Sequence, residues 1–86
     1  MKMRVLVRYK DEKRFRALEV YELECTPYPE AGRVEVKLHT PVGSAVLVAE
    51  GDVERIVDEI LNGLLSGDDY MTHVVVRDVV REGWGW

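Results

Sequence analysis

One stretch of this sequence repeats its apolar residues at helical spacing, and nearly all the rest alternates at strand spacing. Val53, Ile56, Val57, Ile60, Leu61, Leu64 and Leu65 recur at i, i+3, i+4 and i+7, which lines one stripe of an α-helix. A lone amphipathic helix cannot bury that stripe by itself, so the strands must supply a sheet for it to cover. Asp52 suits the N-cap, Glu54 lies at the positive end of the helix dipole, and Gly67 is placed to end the helix. Gly63 sits inside it, where glycine costs about 1 kcal/mol relative to alanine, and a close backbone approach is the expected compensation.

The strands read from period-two alternation. Met3, Val5, Val7 and Tyr9 alternate with Arg4, Leu6 and Arg8 in a first strand, and Lys10-Asp11-Glu12-Lys13 is its turn. A second strand runs from about Arg14 to Cys25. Its phase slips between Val20 and Tyr21, so a β-bulge is expected near Val20. Two prolines and a glycine make residues 26–32 a loop. Val34, Val36 and Leu38 mark a third strand, Thr40-Pro41-Val42-Gly43 a turn, and Ser44 to Ala49 a fourth strand. A last strand follows the helix from about Tyr70 to Arg81.

The fold class predicted is α+β: a mostly antiparallel sheet of about five strands in the order β-β-β-β-α-β, with one amphipathic helix packed on one face. The last strand is expected parallel to the fourth, through a right-handed crossover. This order differs from that of RNA-recognition sheets and oligonucleotide-binding barrels. Residues 1–86 read as a single domain, with 82–86 as a flexible or docking tail.

Composition excludes several classes. With 47% hydrophobic and 33% charged residues, the chain has the apolar material that disordered segments lack. No apolar run approaches the roughly 20 residues that span a bilayer, so no membrane association is expected. Residues 1–9 hold no continuous hydrophobic region of the kind a secretory signal needs, and a cytoplasmic location is the expectation. The single cysteine, Cys25, cannot form an internal disulfide, which fits a reducing compartment. Glutamine is missing and asparagine occurs once, at Asn62, amid many Glu, Arg and Val; this bias is thermophile-like.

Three features are candidates for function. The first is charge: residues 1–16 hold seven basic side chains against two acidic ones, giving +5, while the rest holds five basic and fourteen acidic ones, giving −9. Arg4, Arg8, Lys10, Lys13, Arg14 and Arg16, with Tyr9 and Phe15 near the turn, make a cationic hairpin. Such a hairpin pairs with acids across its own sheet, docks on an acidic protein, or binds nucleic acid. The second feature is apolarity on both faces of two strands, at Ala45 to Ala49 and at Val74-Val75-Val76 with Val79-Val80. A curled sheet, the tryptophan tail or a second copy of the chain must cover the additional face. The third is the terminus, where Trp84 and Trp86 are potential interface anchors.

Catalytic and ligand chemistry find little support. Cys25 shares its phase with Leu23 and Tyr21 and reads as a buried thiol. Cys25, His39 and His73 sit on three different strands, and Asp52 is separated from Asp68 and Asp69 by a helix roughly 20 Å long. Phosphate-binding glycine motifs are absent. The expectation is therefore a non-enzymatic protein-interaction module with no catalytic residues, metal or cofactor and no evident small-molecule substrate. It would self-associate or act as a small subunit of a larger assembly. Its interface is expected at Val46, Val48, Val75, Val79, Trp84 and Trp86. The alternative is a nucleic-acid-binding protein that uses the basic hairpin.

Overall fold

The computed structural model describes residues 2–68 and 70–85, with Lys2 as backbone only. In chain order the elements are β1 (Lys2–Tyr9), β2 (Phe15–Val20), β3 (Glu22–Tyr28), β4 (Arg33–Thr40), β5 (Gly43–Glu50), α1 (Val53–Leu65) and β6 (Met71–Gly85). A 3-10 turn, Pro29–Ala31, links β3 to β4. The class is α+β as expected, a mixed sheet with one helix packed on it, but the sheet has six strands rather than five.

The extra strand arises at the phase slip. Val20 pairs with Met3 of β1, whereas Glu22 pairs with His39 of β4. Between them the Tyr21 N–H donates to the His39 carbonyl at 3.0 Å, so the chain changes partner there instead of bulging within one ladder. The order across the sheet is β2-β1-β6-β5-β4-β3. Strands consecutive in the chain thus occupy opposite edges, which requires the sheet to roll up, and β2 touches β4.

β6 makes the second corner. Its first half pairs with β1 as far as Tyr9 opposite Val79, and its second half pairs with β5 from Ala49 opposite Val79 to Ser44 opposite Gly85. Both registers shift around residues 77–80, where Asp78 has a left-handed φ of 59°. Aspartate is among the few residues that tolerate that conformation. Residues 82–85, expected in a tail, are therefore paired strand; Trp86 lies outside the described residues.

β6 is antiparallel to β5 and parallel to β1, which corrects the expected crossover. The reason lies where β5 stops. Beyond that level α1 continues along the flank of β6 that β5 leaves unpaired, with Arg55 reaching Asp78 at 2.7 Å and Gly63 against His73 and Val74. The helix runs antiparallel to β6 and never crosses between parallel neighbours. Asp52 caps it as expected, accepting from the Arg55 N–H at 3.2 Å. The helix closes at Ser66, just before Gly67, where the Ser66 N–H reaches the Asn62 carbonyl at 3.0 Å.

One buried cluster joins the inward residues of the strands to the helix. Met3, Val5 and Val7, Val34, Val36 and Leu38, Ala45, Leu47 and Ala49, and Val74 and Val76 pack with Ile56 and Ile60. Val79 belongs to this cluster and is fully buried, so it cannot serve the contact surface expected of it. The helix buries less than its apolar stripe offers: Leu61 is 47% exposed and Leu65 is 82% exposed.

Two predictions follow from the α1–β6 junction. A Cβ at Gly63 would lie 2.5 Å from the His73 carbonyl oxygen and 2.9 Å from the Val74 Cα. Backbone cannot yield there, so Gly63→Ala should lose stability by about 1–3 kcal/mol despite alanine's helix preference, read by urea denaturation. After the helix, the Asp68 carboxylate accepts from the N–H groups of Tyr70 and Met71, both at 2.8 Å. Those bonds, first Met71 and then Tyr70, hold its pKa below the usual aspartate value. The associated stabilisation is present above the unfolded-state pKa and is lost as pH falls through the folded one. Asp68→Asn should flatten the loss of stability on acidification, and an NMR titration of Asp68 should show the lowered midpoint.

Candidate interaction surface

Strand alternation sends half of each strand outward, and on β1 the outward residues are Arg4, Leu6 and Arg8. Register sets Leu6 between Ala17 of β2 and Val75 of β6. In the next row on one side, Arg4 lies between Glu19 and His73. In the row on the other side, Arg8 is opposite Phe15, and Arg77 joins them around a groove of about 240 Å³ floored by Leu6 and Val75. An apolar band thus crosses three strands, bordered on one side by the cationic row of Arg8 and Arg77 and on the other by a mixed row in which Arg4 lies beside Glu19. Phe15, 62% exposed, stands at its corner. Two guanidiniums share one groove, an arrangement that costs stability in a sheet unless something neutralises it. Glu59 of α1 partly does so, pairing with Arg77 at 3.0 Å.

The six basic residues singled out in the sequence do not form one patch. Arg4 and Arg8 lie on this face. Lys10, Lys13 and Arg14 stand exposed at the β1–β2 turn, where Arg14 is 3.7 Å from Glu12. Arg16 has inward phase and reaches the mouth of the rolled sheet. There its guanidinium donates to both oxygens of Glu82, at 2.5 and 2.7 Å, and lies over the Tyr9 ring. The Tyr9 hydroxyl and the Trp84 indole N–H donate to the same carboxylate, the latter at 2.7 Å. Trp84 is a strand residue opposite Ala45, held by this cluster and 42% exposed.

The proposed apolar contact residues divide in the same way. Val75 is half-buried on the cationic face, next to Leu6. Val46 and Val48 face outward on the other half of the sheet, beside Lys37 and Glu35 of β4 and opposite Gly83 and Arg81 of β6. Val48 is nevertheless buried. The rolled sheet covers the inner face of β5 and β6, leaving these outward valines as single residues among polar neighbours.

A cleft of about 360 Å³ lies between the β1–β2 turn, the start of α1 and the β6 corner, lined by Arg8, Tyr9, Asp11, Glu12, Lys13, Arg55, Arg77 and Asp78. Its arginines find partners inside the molecule: Arg55 pairs with Asp78 at 2.7 Å, Arg77 with Glu59, and the Arg8 Nε donates to the Glu12 carbonyl at 2.9 Å. We read it as a junction where turn, helix and strand are tied together.

The remaining candidates are dispersed. His39 hydrogen-bonds Glu24 through Nε2 at 2.9 Å and Ser44 through Nδ1 at 3.1 Å. The hydrogen bond from His39 holds the Glu24 carboxyl below the usual range; desolvation opposes it, and the charge of nearby Lys37 adds a smaller lowering effect. The order serine, histidine, glutamate is suggestive, but cross-strand register accounts for it, since His39 is directly opposite Ser44 and diagonal to Glu24, which is opposite Lys37. Cys25 faces inward, and burial pushes its thiol pKa up, away from the nucleophilic thiolate. Among the described residues no three of His, Cys, Asp and Glu converge to hold a metal ion, and no helix is long and apolar enough to cross a membrane.

No protein-family model matches the sequence, and neither a curated protein nor a solved structure matches it. Functional argument therefore rests on the surface itself. Arg77, Leu61 and Leu65 are the surface residues that sequence reasoning missed; only the wide apolar stripe of the helix hinted at the leucines.

The Glu82 cluster gives a direct test. Its side chain is only 12% exposed and accepts charge-assisted bonds from Arg16. Glu82→Ala should lower stability by about 1–3 kcal/mol in urea and shift the tryptophan emission to longer wavelength; Glu82→Gln, which keeps one acceptor oxygen, should lose less.

Proposed function

We propose that the protein is a non-enzymatic interaction module whose contact surface is the outer face of β1, β2 and the first half of β6. The observation that carries this reading is the band of Leu6, Val75 and Phe15 bounded by Arg4, Arg8 and Arg77. The chain as a whole carries a net charge of −4, so a cationic and partly apolar face is a local departure from its average. Aromatic and arginine side chains around an apolar centre are the composition that dominates protein–protein contacts. The partner implied is a protein surface with exposed apolar residues and carboxylates around them. Arginine favours that role, because its planar fork binds carboxylates in two places and is weakly hydrated.

Nucleic acid is the second reading, supported by Phe15 beside Arg8 as a stacking platform. It fits less well. Arg16 is committed to Glu82, and in the rows of Arg4, Leu6 and Arg8 the Phe15 ring is joined only by the imidazole of His73. The remainder of the molecule also repels a polyanion.

The chain isolated from its source at low salt should retain a protein partner, another copy included, that Leu6→Glu removes. Indifference of every association to Leu6→Glu and Arg8→Glu would overturn the reading. Anisotropy titration with single-stranded DNA and RNA at low salt should show no binding. Salt-sensitive binding that Arg4→Glu weakens would instead transfer the face to nucleic acid.

A further inference from the structure

The face described above has a counterpart on the same molecule. Along α1, Glu54, Asp58, Leu61 and Leu65 are spaced at i, i+4, i+7 and i+11 and therefore form one stripe. All four are exposed, the two leucines at 47% and 82%. They point away from Ile56 and Ile60, the residues through which the helix is buried. The stripe is acidic in its first half and apolar in its second. This is the complement of the sheet face, which is apolar at Leu6 and Val75 and cationic at Arg8 and Arg77.

Resting on the reading that this sheet face is a protein contact, we propose that its occupant is the α1 stripe of a second copy of the chain. Asp58 and Glu54 meet Arg8 and Arg77, and Leu61 and Leu65 lie on Leu6, Val75 and Phe15. The dimensions agree. Two residues of strand, the separation of Arg8 from Leu6, span about 7 Å, and Leu61 and Leu65 lie about 4.5 and about 10.5 Å beyond Asp58 along the helix, on either side of that distance. Continuing past Leu6 on β1, Arg4 meets the negative end of the helix dipole.

Within one molecule α1 borders the sheet face, joined to it by the Arg77–Glu59 ion pair. Stripe and face are therefore on adjoining sides, and a two-fold axis between two copies satisfies both contacts at once. The resulting interface is isologous and closed. Direct apposition of two identical sheet faces, the simpler two-fold arrangement, is opposed because it sets arginine against arginine.

The test is sedimentation of the whole chain by analytical ultracentrifugation over a range of concentrations, combined with amide NMR spectra on dilution. A reversible dimer is expected, with concentration-dependent shifts both at Leu6, Phe15 and Val75 and at Asp58, Leu61 and Leu65. Asp58→Arg and Arg8→Glu should each weaken dimerisation roughly tenfold or more, and the double variant should regain affinity, since the same charges then meet with signs exchanged. Leu65→Lys, at a site too exposed to affect folding, should also weaken it. A monomer at every concentration overturns the proposal, as does a dimer indifferent to Asp58→Arg and Leu65→Lys. Dilution shifts confined to the sheet face would overturn the helix as occupant while leaving that face a contact surface; shifts at neither, with no partner retained from the source, would end both readings.

Discussion

The interaction on which the rest of the structure depends is the sharing of β6 between two partners. Here β1 accompanies the first half of the strand while β5 accompanies the second. The break at residues 77–80 is where that exchange occurs, with Asp78 in a left-handed conformation taking up the change of direction. At the opposite side Tyr21 makes a matching exchange from β1 to β4. With two corners the sheet folds over on itself, so that Val5 and Val7 share a core with Val34, Val36 and Leu38. The placement of α1 follows, because the flank of β6 released by β5 is the surface the helix takes. Gly63 permits the approach to its backbone.

Much of this was legible in the sequence where the physics is local. Alternation placed Met3, Val5 and Val7 on one face and Arg4, Leu6 and Arg8 on the other, and the helical stripe and its Asp52 cap were unmistakable. The phase slip beside Val20 was visible as well, but local pattern cannot distinguish a bulge from a change of partner. That distinction depends on His39, eighteen residues beyond Tyr21 in the chain. Direction of pairing is non-local for the same reason, and the expected crossover gave way to an antiparallel β5–β6 pair. The helix stripe misled differently. Its apolar residues outnumber those the sheet covers, and only tertiary contact reveals that Leu61 and Leu65 are left outside.

Charge shows most clearly how sequence grouping and spatial grouping diverge. Seven of the twelve basic residues fall in the first sixteen positions, which invites the idea of a single cationic hairpin. Alternation breaks that group apart. Arg16 turns to the mouth of the rolled sheet and is neutralised by Glu82, whereas Arg4 and Arg8 face the opposite way and are joined by Arg77 from the far end of the chain. The resulting face has fewer cations than the hairpin has in sequence, but it arranges them around apolar residues. An electrostatic surface alone attracts many partners; apolar residues between its charges require a shaped one.

Small size explains why such a domain leaves large apolar side chains in solvent. A chain of this length buries only roughly 60% of the surface exposed on unfolding, and its one helix has already committed Ile56 and Ile60 to the core. Fully burying Phe15, Leu61 and Leu65 against other protein would contribute on the order of 1.5–3 kcal/mol each. Association costs about 4–15 kcal/mol in lost freedom, so one such contact scarcely holds two molecules together. Two contacts related by a two-fold axis double the gain while the loss of overall translation and rotation is incurred only once. A reciprocal arrangement of modest apolar patches, guided by opposite charges, is for that reason the form of association that this surface supports best.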